Sequence, residues 1–248
     1  MEKKLVSIIT PSYNSGEFIK ATIDSVRKQT YVNWEMIIVD DCSTDNTQDI
    51  VAKYIAIDSR IHFFKLEINS GAAIARTEAI KLATGKYIAF LDSDDIWHPN
   101  KLERQINYME KNKYNITCTS YEKYNEKNKT LKLIESLPKT DYKKMLSNNT
   151  VGNSTLIYNA NKLGKFEVPT IRKRNDYALW LKLLKKEKYI YGMPEVLMKY
   201  RVRNDSISSN KMTLIKYHWI LYRKIEHLSV GKSIFHIIYW IMIKMLKR

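Results

Sequence analysis

"AFLDSDDIWHP", residues 89–99, carries an apolar run straight into three carboxylates within four positions. Asp92, Asp94 and Asp95 repel one another there. A solvated turn would tolerate them, since Asp and Ser are ordinary turn residues. The alternative is a divalent cation holding a diphosphate, because oxygen ligands suit Mg²⁺ or Mn²⁺ and a metal offsets the repulsion. The stretch alone leaves both readings open. The elements around it have to decide.

Working outward, "KYIAFLD" (86–92) is the last of several short apolar runs that alternate with helical patterns. "LVSIIT" (5–10) is apolar on both faces, as a central parallel strand should be. A helix is predicted over 17–28, with Phe18, Ile19, Thr22, Ile23 and Val26 on one face. "WEMIIVD" (34–40) and "IHFFK" (61–65) read as strands, 44–56 and 70–84 as helices. Gly85 is placed as the C′ residue of its helix and Pro99 at an early position of the next. This βαβαβαβ order implies an α/β fold with a doubly wound, mostly parallel sheet. The loops after strands 5–10, 34–40 and 86–92 then share one carboxyl edge, where ligands bind in open α/β sheets. "TPSYN", "DDCSTD" and "DSDD" should therefore face one crevice, which isolated turns would not do.

Past residue 110 the pattern loosens. Strands are expected at 115–121, 153–158 and 195–203 and a helix at 175–186, with 123–132 a polar separator. The chain reads as helical from residue 210 to its end. The expected organisation is a unit over 1–209, with halves 1–110 and 111–209, followed by a basic amphipathic helical tail over 210–248.

The 248 residues carry a net charge of +16. That charge is uneven. Residues 1–110 hold 13 Lys+Arg against 16 Asp+Glu, whereas 111–248 hold 29 against 10. A basic back half suits an anionic partner, either nucleic acid or acidic lipid. No helix-turn-helix, RNP or zinc pattern accompanies it, which argues against nucleic acid. Two cysteines, Cys42 and Cys118, make no disulfide framework and fit a reduced, cytosolic setting. The apolar core of the first strand stops after five residues, short of the ~7–15 of a secretory h-region. No stretch reaches the ~20 apolar residues of a membrane span.

Asp40 and Asp41 end the second strand, where an acid can accept from a base N–H or a ribose hydroxyl. Capping of the next helix by Ser43 or Thr44 explains part of the same motif. In "RNDYALWLKLL" (174–184), Asp176 opens a helix and is the only acid between Glu167 and Glu187. A carboxylate so placed could take a proton from a hydroxyl, or simply favour the helix dipole. Trp180 lies on the apolar helix face and reads as core.

Taken in order, "VSIITPSYN", "NWEMIIVDDCSTDNT", "NSGAAIARTEAI" and "GKYIAFLDSDDIWHPNKLE" resemble the nucleotide-sugar domain of family 2 inverting glycosyltransferases of GT-A fold. Its flavour is that of the teichuronic-acid-type branch of bacterial cell-surface polysaccharide enzymes. The likeness is strong over 4–110 and weaker over 150–209. The resemblance implies that Pro11 and Tyr13 pack on the nucleotide base and that Asp41 accepts its N–H, with Asp40 as a neighbour. It puts Arg76 beside the nucleotide or its phosphates, although a helix-face salt bridge is the plainer role. Asp92 would contact ribose, Ser93 would stand within the DxD, Asp94 would ligate Mn²⁺ or Mg²⁺, and Asp95 would support them. Asp176 would be the base, with Asn175 where the family usually has Glu. Arg203 falls in a loop that closes over the donor diphosphate, often with His at that place; Arg is always charged and suits phosphate. A UDP-sugar donor and a glycan or lipid-linked acceptor are implied in the same way.

Two other functions compete. A nucleotidyltransferase shares such a sheet and its metal acids but wants a Gly-rich phosphate loop, which "TPSYNSG" is not. A basic nucleic-acid-binding protein is the other. The tail "SIFHIIYWIMIKMLKR" (233–248) is apolar, Trp-bearing and flanked by basic residues. It is expected either to cover the sheet or to lie on the inner face of the cytoplasmic membrane.

Overall fold

The computed structural model describes residues 4–125, 129–202 and 211–246. The front of the chain alternates β1 (Val6–Ser12), α1 (Ile19–Arg27), β2 (Trp34–Asp40), α2 (Thr47–Ile55), β3 (Ile61–Lys65), α3 (Ala72–Leu82) and β4 (Tyr87–Phe90). β5 (Ile96–Trp97), α4 (Lys101–Asn112), β6 (Ile116–Tyr124), β7 (Thr130–Ile134), β8 (Lys139–Thr140) and α5 (Tyr142–Ser147) follow. A 3₁₀ turn (Asn153–Thr155) leads into β9 (Ile157–Asn159), α6 (Ala160–Leu163), α7 (Asn175–Leu184) and β10 (Ile190–Arg201). The described C-terminal part is α8 (Lys211–Ile220), a π-helical segment (Leu221–Ile225) and α9 (Val230–Leu246).

The strands run in the order β3-β2-β1-β4-β9-β6-β10-β5. β1 pairs in parallel with β2 and β4, and β2 with β3, as the two-faced apolar runs require. In β1, β2 and β4 alternate residues feed two cores. Ile9, Ile37, Val39, Ile88 and Phe90 face one, with Trp180 and Leu183 of α7. Val6, Ile8, Met36, Ile38, Tyr87 and Ala89 face the other, with Ile23 of α1 and Leu102 of α4. Trp180 is fully buried and meets Phe90 edge-on at 5.0 Å between ring centroids. It is core, as its helix face implied.

Several local expectations are corrected. β9 enters antiparallel between β4 and β6, so the sheet is parallel at the front and mixed beyond. Residues 153–158 are a 3₁₀ turn and a short strand rather than one strand. The separator over 123–132 contains the start of β7, which pairs with β6. Gly85 is not a left-handed C′ residue: a Cβ there would meet Leu5 O and Ser7 N at 2.8 Å, so close backbone approach excludes a side chain. Pro99 precedes the N-cap Asn100 instead of opening α4.

The C-terminal helices pack against the front of the chain. Leu221, Tyr222 and Ile237 join the core that holds Trp180, and the Tyr222 hydroxyl donates to Leu146 O at 2.9 Å. Among the described residues no helix is long and apolar enough to cross a membrane.

Candidate active site

The three loops do converge, and hydrogen bonds tie them together. In the loop after β1, Asn14 N donates to Ser43 Oγ at 2.8 Å and Ser15 N to Thr47 Oγ1 at 2.9 Å. Ser15 Oγ lies 2.7 Å from Ser93 Oγ in the acid turn. Asn14, Cys42 and Arg174 are non-glycine residues at φ 45°, 65° and 69°. Left-handed backbone of this kind costs of order 1 kcal/mol or more and gathers at functional sites. Here each falls in a loop that carries a candidate residue.

The second loop separates the roles of its two acids. Asp40 is fully buried and accepts from Ser43 N at 2.8 Å and Ser43 Oγ at 2.5 Å, which turns the chain toward α2. Asp41 accepts from Ser70 N at 2.6 Å and Gly71 N at 2.8 Å, one to each carboxylate oxygen. It therefore anchors the N-terminus of α3. Gly71 stands at φ 89°, a conformation other residues rarely adopt. Gly71→Ala should lower the melting temperature, at a cost of about 1–2 kcal/mol. Differential scanning fluorimetry reads it; an unchanged melting curve would contradict the strain. Pro11 is buried within β1, whereas Tyr13, just past the end of that strand, is 51% exposed.

The acid turn is built on the 3₁₀ segment. Asp92 Oδ1 accepts from Asn153 Nδ2 at 2.7 Å and from Arg76 Nη2 at 2.9 Å. Ser154 Oγ accepts from Asp92 N at 3.0 Å and donates to Asp95 Oδ2 at 2.5 Å. Asp95 is buried, and burial, then the charges of Asp94 and Asp92, push its carboxyl well above the usual carboxylate range. Three acids thus crowd one turn, as the sequence suggested. Asp94 is half-buried at the turn's tip, and its carbonyl accepts from Arg201 Nε at 3.2 Å.

Arg76 links this turn to α7. Its guanidinium is buried, donating to Asp92 and to Asn175 Oδ1, the residue beside Asp176. It is a salt bridge, but one inside the site. Asp176 sits in the first turn of α7, directly after Arg174 and Asn175. Tyr121 faces the same space: burial, then the charges of Asp95 and Asp176, push its hydroxyl up to about 12. Arg203 lies outside the described residues.

Sequence reasoning missed Tyr121, Asn153, Ser154 and Arg201. The Arg201 guanidinium lies 5.0 Å from the Phe18 ring centroid and 4.8 Å from that of Tyr124, while its backbone N donates to Asp95 Oδ1 at 3.2 Å. Reading 195–203 as a strand put Arg201 at the right sheet edge, and that was its one signal. Asn153 and Ser154 gave none, being about 60 positions from their acid partners.

Among the described residues no three His, Cys, Asp or Glu side chains form a metal cage. A cation at this turn would draw its other ligands from phosphate and water, as Mg²⁺ commonly does.

Residues 7–169 match the glycosyl transferase family 2 pattern. The chain is 46% identical over 232 residues to TuaG of Bacillus subtilis, named as a teichuronic acid biosynthesis glycosyltransferase, covering 93% of this chain and 92% of that one. It is 43% identical over 220 residues, 88% and 85% of the two chains, to WfgD of Escherichia coli, a UDP-Glc:α-D-GlcNAc-diphosphoundecaprenol β-1,3-glucosyltransferase. Among solved structures, S. aureus TarS 1-349 with UDP-GlcNAc superposes with a TM-score of 0.70 at 21% identity, over 93% of this chain and 69% of that one. The Pyrobaculum calidifontis mannosyltransferase PcManGT, solved with GDP-Man and Mn²⁺, gives 0.68 at 16% identity, over 92% and 66%. The two structures share the GT-A fold of this sheet. The pattern and the relatives at more than 40% identity lead to one placement: the chain belongs to glycosyltransferase family 2.

Proposed function

We propose that the protein is an inverting, cation-dependent glycosyltransferase of cell-surface polysaccharide synthesis. It moves a sugar from a UDP-sugar to a hydroxyl of a glycan or lipid-linked acceptor, working at the inner face of the cytoplasmic membrane. One observation carries this reading: Arg76 joins the Asp92 turn to Asn175 in the first turn of α7, the residue directly before Asp176. The names of TuaG and WfgD support the polysaccharide setting and the lipid-linked acceptor. TarS with UDP-GlcNAc supports the donor class.

In this mechanism Tyr13 stacks on the base, Pro11 packs beneath it and Asp41 accepts the base N–H through its remaining lone pairs. Asp40 and Ser93 hold their loops in register. Asp92 meets the ribose, and Arg203 the diphosphate. Asp94 would ligate Mn²⁺ or Mg²⁺, with Asp92 and Asp95 as its neighbours; the crowding of three acids fits a cation there. When bound, that cation stabilises charge on the departing diphosphate. Asp176 takes the proton from the acceptor hydroxyl. The acceptor oxygen bonds to the anomeric carbon from the face opposite the phosphate, whose oxygen leaves with the electron pair of the broken C–O bond. An α-linked donor gives a β-linked product.

Arg76 is a positioning residue here, since its two terminal nitrogens are already engaged by Asp92 and Asn175.

Incubation with a panel of UDP-sugars and Mn²⁺ tests the reading through slow UDP release. No release from any donor, with the protein folded, would sink it. Tyr13→Ala should weaken UDP binding about tenfold, in line with ~1–3 kcal/mol for base–aromatic stacking. Asp41→Ala should weaken it similarly but also loosen residues 70–71. Calorimetry decides, and unchanged affinity in both variants would move the base pocket elsewhere.

A further inference from the structure

α9 has a face that the core does not use. Ser233, Ile237 and Trp240 turn inward, while Ile234, Phe235, Ile238, Tyr239, Met242 and Met245 are 39–70% exposed. At 3.6 residues per turn these six form one contiguous stripe. Single exposed apolar residues need no explanation, but a continuous stripe marks a contact surface.

Charge decides what the contact is. Residues 211–246 contain one acid, Glu226, which is buried and paired with Lys185 at 2.7 Å. Lys216, Lys224 and Lys232 are exposed. Two copies meeting through this stripe would bring like charges together, whereas an anionic bilayer accepts both the apolar stripe and the lysines.

The helix also leans on the candidate site. Arg174 lies 5.9 Å from the ring centroid of Trp240, on the inner side of α9. Lys173 Nζ donates to Thr213 Oγ1 of α8 at 3.2 Å. Asp176 follows Arg174 by two positions. A surface that docks α9 therefore lies near the residue proposed to deprotonate the acceptor.

We infer that the outward stripe of α9 is a docking surface for an anionic phospholipid bilayer, on which the helix lies in the interfacial plane. The inference rests on the lipid-linked acceptor proposed above. The membrane delivers the diphospholipid's sugar to the α7 end of the site, while the nucleotide enters at the β1–β2 side from water.

Because the C-terminal helices share the core, point variants are the right probe rather than truncation. The full chain should co-sediment with vesicles of phosphatidylglycerol and phosphatidylcholine in equal parts, and not with phosphatidylcholine alone. About 1 M NaCl, which shortens the Debye length to ~3 Å, should weaken the binding. Phe235→Asp combined with Ile238→Asp should reduce co-sedimentation at least ~tenfold, since it removes two inserted side chains and adds repulsion. Its melting temperature and UDP release from a soluble donor should match the wild type. The inference fails if the wild type ignores anionic vesicles or the double variant binds them equally. It also fails if the wild type is a dimer that the variant dissolves. Vesicle binding without UDP release would leave the docking surface standing and overturn the proposed activity instead.

Discussion

Asp176→Asn should lower sugar transfer by about 10²–10⁴-fold and leave UDP affinity unchanged, the loss expected of a general base. The two side chains are nearly isosteric, so α7 keeps its first turn and Asn175 keeps its bond from Arg76. What the variant loses is the capacity to accept a proton. The residues proposed to face the nucleotide belong to other loops, so binding and chemistry should separate cleanly. Single-turnover transfer at saturating donor, with calorimetry on UDP, measures the two independently. Turnover at the wild-type rate would remove Asp176 from the role. Asp141 is a poor substitute, because its carboxylate caps α5 by accepting from Lys144 N at 2.8 Å. Asp205, outside the described residues, would then be the candidate to test.

Asp176 also illustrates which parts of the site were legible in the sequence. Periodicity found the strands that feed the crevice, since runs such as "IIVD" and "YIAF" are buried on both faces and admit a parallel central sheet. Once those strands were parallel, their following loops had to share an edge, and the hydrogen bonds that Ser15 shares with Thr47 and Ser93 bear that out. The Asp176 helix was legible from its own apolar pattern. Contacts made across the chain were not. Ser154 supports two acids of a turn about 60 residues earlier, and nothing local to "NST" signals it. β9 is three residues long, below what alternation can resolve, yet it runs antiparallel to both of its neighbours, β4 and β6. Gly85 looked like a helix stop because glycine serves both for left-handed backbone and for close approach. Only the Leu5 and Ser7 backbone beside it distinguishes the two. The tail was ambiguous for a real physical reason. A helix with apolar residues on two faces can cover a core and a bilayer together, and α9 turns Ile237 inward and Phe235 outward.

Asp94→Ala should abolish transfer, by about 10³-fold or more, even with excess Mn²⁺ or Mg²⁺, and chelation by EDTA should do the same to the wild type. Neither neighbour can replace it. Asp92 Oδ1 already accepts from Arg76 and Asn153, and moving it would leave the buried Arg76 guanidinium without its carboxylate. Asp95 is buried, with one oxygen on Ser154 Oγ and the other on Arg201 N. Stability should respond in the opposite sense to activity. The charge of Asp94 helps hold the Asp95 carboxyl above its usual range, so removing it relieves repulsion in the turn. A group whose folded value is raised binds its proton more tightly when folded, and so costs stability as pH rises above its unfolded value. That cost should shrink in Asp94→Ala at neutral pH, leaving a melting temperature equal to or above the wild type. Two results would overturn the argument: wild-type transfer that persists in EDTA, or activity of Asp94→Ala restored by added Mn²⁺. Loss of activity together with a lowered melting temperature would instead make Asp94 a structural member of the turn.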